Sequence, residues 1–312
     1  MIFEDAILNE FIEIVLKLNI NIYLVGGALR DSFLGAKSYD YDFAIETTPK
    51  VHYYIASYLS NMINAEFKYN DYYNTAKFEL NGLDIDLIMA RKEFYDKPAC
   101  TPLIKPSSII DDLKRRDFTI NSMAYDLRKN SLIDIFNGKE DLKKGVIRIL
   151  HEKSFIDDPI RIFRAIKYSS RFKFYYDDLT KKLIDKALKE GYINLIPMQR
   201  IKKEVSDILN EKNLKYSLEL INEINILNFV FNENIMLNKN INQKYFSKLT
   251  YEEKFACILL KNKPSILELI QQEFSFSREF IELCAMLTNL NNIIEINDQV
   301  EIYKILLSAE KS

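Results

Sequence analysis

Hydrophobic and polar positions recur with two different periods along this chain, and the change between them divides it. In the first half, Ile22-Tyr23-Leu24-Val25 is continuously apolar, as in a buried strand, and Tyr39-Asp40-Tyr41-Asp42-Phe43-Ala44-Ile45 alternates as a half-buried strand does. Residues 75–80 and 83–90 read as two further strands joined by Asn81-Gly82, the dipeptide that most strongly signals a two-residue hairpin turn. Gly26-Gly27 ends the first strand, and residues 28–34 have the composition of a short helix closed by Gly35. Residues 112–124 carry Leu113, Ile120 and Ala124 at spacings that predict a helix, with Ser107 or Ser108 as its N-cap. The mixed segment closes with Leu132-Ile133-Asp134-Ile135-Phe136 and the turn Asn137-Gly138. From about Phe155 onward apolar residues recur at helical spacing and glycine nearly vanishes, which predicts an all-helical second half punctuated at Pro197 and at the Asn-rich residues 237–243.

The strand period decides where the acidic side chains go. Asp40 and Asp42 project from one face of their strand, and two like charges that close repel unless a cation neutralises them. An all-oxygen donor set favours Mg²⁺. In the hairpin, Leu83, Ile85 and Leu87 face one way while Asp84, Asp86 and Ile88 face the other, so at least one of these aspartates can meet Asp40 and Asp42 across a small sheet. The Gly26-Gly27 turn lets backbone amides approach an anion closely, and the helix that follows adds its dipole. Carboxylates for metal beside a turn for phosphate suit two-metal nucleotidyl transfer: one ion activates the attacking hydroxyl and the other clamps the triphosphate.

Two later clusters extend this set. Arg116 can reach a phosphate, Asp117 a ribose hydroxyl, and Asn121 a phosphate or sugar oxygen. Asp158-Pro159 marks a helix start, where an aspartate commonly caps its own backbone. Against that simple role, Asp158 and Arg161 lie three apart, and Arg164, Lys167 and Arg171 continue a stripe at helical spacing. A carboxylate beside a guanidinium offers an acceptor next to a donor, which matches the Watson–Crick edges of cytosine and adenine and not those of uracil and guanine.

These residues carry a family resemblance. Residues 24–45 resemble the first motif of the bacterial and eukaryotic type of tRNA CCA-adding nucleotidyltransferases and their poly(A) polymerase relatives. Residues 115–124 are similar to the second signature, with Ser122 where alanine is usual. Residues 157–168 resemble the base-selecting motif Glu-Asp-x-x-Arg, with Asp157 in the glutamate position. Arg200-Ile201-x-x-Glu204 resembles a later helical motif, with Gln199 replacing a frequent glutamate. The resemblance implies an α+β fold: a polymerase-beta-like nucleotidyltransferase palm over residues 1–140, a helical neck over 141–209, and a helical body and short tail over 210–312 that hold the tRNA.

It also implies roles. Asp40 and Asp42 would be the metal ligands and Asp86, five before Arg91, the third catalytic acid. Gly26, Gly27, Arg30, Asp31 and Arg116 would bind nucleotide, with Gly27, Arg30 and Arg116 on the triphosphate and Asp117 and Asn121 at the sugar and nearby phosphate. Asp158 and Arg161 would read the base, with Arg164 and Lys167 placed for further nucleotide or RNA contacts. The implied reaction adds C and A from CTP and ATP to a tRNA 3′ end with Mg²⁺. The alternatives are a partial enzyme adding only CC or only A, a poly(A) polymerase, or an RNA-binding protein that has lost turnover. Residues 93–108, with Pro98, Pro102 and Pro106, are candidates for a loop that governs switching between bases.

Composition changes the picture in two places. The net charge of −2 over 312 residues looks wrong for an RNA enzyme, but residues 143–203 hold 16 Lys and Arg against 7 Asp and Glu, making the neck a candidate RNA surface. Cys100, Cys257 and Cys284 are odd in number and too scattered for a zinc site, which fits reduced thiols in a cytoplasmic protein. No apolar run reaches membrane-spanning length, residues 1–17 lack the pattern of a signal peptide, and no obligatory protein partner is evident. His52 and His151 do not form a His-Asp phosphohydrolase signature.

Overall fold

The computed structural model describes residues 6–239 and 241–293. The chain divides into two units, one of residues 1–157 with 175–180 and the other of residues 158–174 with 181–312. Residue 140, the expected end of the palm, lies inside a helix of the first unit.

The first unit contains α1 (Ala6–Lys17), β1 (Ile22–Val25), α2 (Gly26–Phe33), β2 (Asp40–Ile45), α3 (Pro49–Ile63), β3 (Phe67–Asn70), β4 (Thr75–Leu80), β5 (Leu83–Met89), β6 (Arg91–Phe94), β7 (Leu103–Pro106) and α4 (Ile109–Lys114). After a 3-10 turn at Thr119–Asn121 come β8 (Ala124–Asp126), β9 (Ser131–Ile133), α5 (Gly138–Lys144), β10 (Val146–Ile147) and α6 (Ser154–Asp157). Seven strands form one sheet in the order β3-β4-β5-β2-β1-β8-β9, in which β2 and β5 run parallel and the other neighbours antiparallel. The β4–β5 turn forms as the dipeptide predicts, with Asn81 at φ 48° and Gly82 at φ 86°.

Period-two alternation gives the sheet two different faces. Phe43 on β2 and Phe78 on β4 meet Phe11 of α1, with ring centroids 5.6 and 6.1 Å away. On the opposite face, Tyr23, Val25, Ala44 and Ala124 pack against Ile109 and Leu113 of α4. Asp40 and Asp42 alternate onto this second face with Ala44, so α4 delivers the residues that follow it to the carboxylates.

Two expectations need correction. Residues 112–124 are not one helix: α4 ends at Lys114, a 3-10 turn follows, and Ala124 opens a strand. The physical reason is non-local pairing, because Phe118 bridges Ile149 and the Thr119 amide donates to the Arg148 carbonyl. Ser108 does cap α4, accepting from the Asp111 amide. Nor is the chain beyond Phe155 wholly helical, since β11 (Tyr175–Tyr176) pairs parallel with β10 in the first unit.

The second unit is built from α7 (Arg161–Phe172), most of α8 (Asp178–Lys189), α9 (Met198–Leu209), α10 (Leu214–Ile224), α11 (Ile226–Phe231), α12 (Gln243–Phe246), α13 (Tyr251–Leu259), α14 (Pro264–Phe274) and α15 (Glu279–Ile293). Its core includes Phe163, Ile166, Ile201, Val205, Leu218 and the packed rings of Phe255, Phe274 and Phe276.

Candidate active site

Register places the three expected acids side by side. In the parallel β2–β5 pair, Asp40 is opposite Asp84 and Asp42 opposite Asp86. The carboxylates of Asp40, Asp42 and Asp86 therefore occupy one strip of the same face. Lys77 of β4 stands opposite Asp86 and donates to Asp84 Oδ2 at 2.7 Å. That ion pair leaves Asp86 as the acid with the unmet demand: its Oδ1 is buried and finds no hydrogen-bond partner among the described residues.

The electrostatics follow from burial and crowding. Burial pushes Asp42 up to about 6 from an ordinary 3.8; Arg116 opposes this, while Asp40, Asp86 and Asp112 add to it. Burial also raises Asp86, with Lys77 opposing and Asp40 and Asp84 reinforcing. Asp40 is raised by burial too, against the pull of Lys77. Such crowded carboxylates call for a cation, and oxygen-only donors fit a hard divalent ion. Among the described residues no three His, Cys, Asp or Glu side chains form a ready-made metal cage. An ion here would complete its shell with substrate oxygens and water, as small hard cations commonly do.

The glycine turn sits directly against these acids. Gly26 has φ +71°, and a Cβ built on it would lie 2.7 Å from Asp42 Oδ2 and 3.3 Å from Arg116 Nη1. Only glycine tolerates both that backbone and that approach. The eight-residue α2 starts here, so its first amides, which have no partner within the helix, lie at the turn that meets Asp42 and Arg116.

The remaining palm residues form one connected group. Buried Arg30 donates from Nε to Asp31 Oδ1 at 2.8 Å and from Nη1 to Asn121 Oδ1 at 2.7 Å. Asn121 Nδ2 in turn donates to Asp117 Oδ1 at 3.0 Å, which also accepts from the Phe118 amide. The 3-10 turn that carries Asn121 is held from behind: the Thr119 hydroxyl donates to Asp141, and a Cβ at Gly138 would meet the Thr119 carbonyl oxygen at 2.2 Å. Gly26 and Arg116 thus stand against Asp42, while Arg30, Asp31, Asn121 and Asp117 form a hydrogen-bonded chain that meets the turn at Gly27, where a Cβ would lie 3.5 Å from Arg30 Nη2.

Asp158, Arg161, Arg164 and Lys167 belong to the second unit. Asp158 lies before α7 and its side chain does not cap the helix; its carboxylate accepts from Arg200 Nη2 at 3.1 Å. Arg161 is buried, Arg164 Nη2 donates to the Tyr168 hydroxyl, and Lys167 Nζ donates to Glu204 at 2.9 Å and Asp207 at 3.1 Å. The motif around Arg200 and Glu204 is therefore the ion-pair partner of the motif around Asp158 and Lys167.

Sequence reasoning missed the support under Arg116. Asp112 is fully buried; its Oδ1 accepts from Arg115 Nη2 at 2.7 Å and its Oδ2 from Arg116 Nη2 at 3.0 Å. Burial works against its charge, yet the two guanidiniums outweigh that and hold its carboxyl below the ordinary range. Glu93 of β6 accepts from both Arg91 and Arg115 and joins the same cluster. Spacing gave one signal, since Asp112 and Arg116 stand four apart, but nothing in the sequence joins Glu93 to them.

Comparison with known proteins agrees with the fold. A family model described as the poly A polymerase head domain matches residues 22–148. A solved structure of a CCA-adding enzyme in an apo form superposes with a TM-score of 0.79 at 31% identity, covering 92% of this chain and 72% of that one. The chain belongs to the tRNA nucleotidyltransferase and poly(A) polymerase family. An A-adding tRNA nucleotidyltransferase of Halalkalibacterium halodurans is 35% identical over 70% of this chain and 52% of its own length. That of Aquifex aeolicus is 34% identical over 72% of this chain and 27% of its own length. The chain thus spans about half the length of the first relative and about a quarter of the second. The match to the head domain lies within the first unit, and divalent metal is general to that family. No described helix is long and apolar enough to cross a membrane.

Proposed function

We propose that this protein transfers C and A residues from CTP and ATP to the 3′ end of tRNA, releasing pyrophosphate. The observation that carries the reading is the strip of Asp40, Asp42 and Asp86 beside the Gly26 turn and Arg116. Asp40 and Asp42 would hold Mg²⁺ there, and Asp86, whose buried oxygen has no hydrogen-bond partner among the described residues, would be the third acid. When bound, the ions lower the pKa of the RNA 3′ hydroxyl and offset the charge of the triphosphate. The chain does the rest by positioning. Arg116, steadied by Asp112, and the α2 amides bind phosphate oxygens; Asp117 and Asn121 orient the sugar. The 3′ hydroxyl gives its proton to solvent, its oxygen bonds to the α-phosphorus, the α–β phosphoanhydride bond breaks, and pyrophosphate leaves. Asp158 and Arg161 discriminate the base as acceptor and donor, and Arg200 steadies the Asp158 carboxylate.

Addition of A alone is the second reading, because both relatives described above are named A-adding enzymes. Transcripts ending before CCA, after C and after CC, supplied in turn with labelled CTP or ATP and Mg²⁺, separate the two. Incorporation of C on the first two and A on the third supports the first reading; A on the third alone supports the second. No incorporation on any transcript would remove both.

A further inference from the structure

Among the described residues β6 and β7 pair only with each other, as a two-stranded ribbon separate from the main sheet. Their register sets Arg91 opposite Pro106, Lys92 opposite Lys105, Glu93 opposite Ile104 and Phe94 opposite Leu103. Alternation then separates two faces. The inner face is anchored: Glu93 accepts from Arg91 and Arg115, and Arg115 shares Asp112 with Arg116. The outer face carries Lys92, Phe94, Leu103 and Lys105, all exposed, with Leu103 at 57% and Phe94 at 39%.

That outer face concentrates positive charge around an exposed ring. Two lysines directly opposite across antiparallel strands repel each other. Both ammonium groups lean over one ring, 5.3 and 5.5 Å from the Phe94 centroid, an attraction that gathers the two charges around a single exposed aromatic face. Asp111 of α4 is engaged by the Ser107 hydroxyl and by Lys114. A ligand that brings an anion to the lysines relieves their repulsion, and one that also brings a flat apolar surface covers the exposed Phe94 ring. Single-stranded nucleic acid has that alternation of phosphate and base, and lysine with aromatic faces is how such strands are gripped without sequence preference.

We propose that the outer face of the β6–β7 ribbon binds a single-stranded segment of the RNA substrate, with phosphates on Lys92 and Lys105 and a base on Phe94. The proposal rests on the reading that the protein extends RNA. Lys92 follows Asp86 by six residues, a span of no more than about 22 Å of chain. The inner-face ion pairs fix the ribbon to Arg116, so RNA held on it keeps a set position relative to the phosphate-binding arginine.

The test uses the full chain and a tRNA transcript lacking CCA, with RNA affinity measured by fluorescence anisotropy across a salt series and incorporation kinetics measured in parallel. Lys92→Gln/Lys105→Gln is expected to reduce the slope of log affinity against log salt by about 1.4, from two single-strand phosphate contacts. Phe94→Ala is expected to weaken RNA binding at least about fivefold. Nucleotide KM, and kcat at saturating RNA, should stay at their wild-type values. RNA affinity and salt slope unchanged in both variants, while the wild type extends RNA normally, would overturn this inference and leave the proposed reaction standing. A wild type that neither binds nor extends RNA would remove the proposed reaction and this inference with it. Self-association abolished by the variants, with RNA affinity unchanged, would assign the face to a second copy of the chain and also overturn it.

Discussion

The carboxylate strip of the first unit and the α7–α9 ion pairs of the second treat charge in opposite ways. On β2 and β5, acids face acids: Asp42 is raised to about 6 and Asp86 keeps a buried oxygen without a hydrogen-bond partner among the described residues. Between α7 and α9 and just beyond, charge meets countercharge: Lys167 has Glu204 and Asp207, and Arg171 takes Glu211 with both Nε and Nη2. The second arrangement is complete without a ligand, whereas the first is left for one. Asp112 shows both principles in a single side chain, because it neutralises two arginines so that one of them, Arg116, can face the strip.

The largest break in that contrast comes from Asp112. Asp112→Ala leaves two partly buried guanidiniums without their shared partner and is expected to cost about 3–5 kcal/mol of stability, read by denaturant unfolding. Nucleotide KM should rise in the molecules that remain folded, and an unchanged KM would separate Asp112 from the site.

His52 sharpens the contrast with a buried group kept neutral. Its Nε2 is 3.1 Å from the Leu87 carbonyl oxygen, beside Asp86, and its Nδ1 is 3.0 Å from the Tyr69 hydroxyl. Burial lowers its pKa from 6.5 to about 4, against the hydrogen bond to Leu87. The folded state therefore resists protonation more than the unfolded state does. The associated stability is complete above about pH 6.5 and is lost as pH falls to about 4, on the order of 3 kcal/mol in all. Unfolding free energies across that window should slope less steeply in His52→Gln; parallel slopes would show that other groups carry the acid sensitivity.

Gly26→Ala tests the close approach. A Cβ 2.7 Å from Asp42 Oδ2, on a backbone at φ +71°, must displace the acid or the turn. Misplacement on that scale is expected to cost about 100-fold in kcat. The smallest effect belongs to the ion-paired region: Glu204→Gln leaves Lys167 with Asp207 and should cost about 1–2 kcal/mol of stability. A kcat loss as large as that of Gly26→Ala would erase the distinction between the two regions.

What could be read in the sequence depended on how local its cause was. The β4–β5 hairpin and the orientation of Asp40, Asp42 and Asp86 follow from side-chain alternation and one Asn-Gly turn, so they were legible. The break after Lys114 was not, because the Phe118 and Thr119 backbones are claimed by Ile149 and Arg148, about thirty residues away. The same limit hid the Asp112 clamp, which involves Glu93, and the ribbon of residues 91–106, where prolines suggested a loop. It also hid Lys77, whose place beside Asp84 and Asp86 depends on strand register.

The central claim is that the acids on β2 and β5 are left uncompensated for catalysis. Its most direct test compares wild type and Asp42→Asn for incorporation of labelled CMP or AMP into tRNA transcripts lacking part or all of CCA, with RNA binding measured on the same samples. The account predicts a loss of about 1,000-fold or more in incorporation for Asp42→Asn, with RNA affinity and folding retained. Incorporation by Asp42→Asn close to the wild-type rate would contradict it.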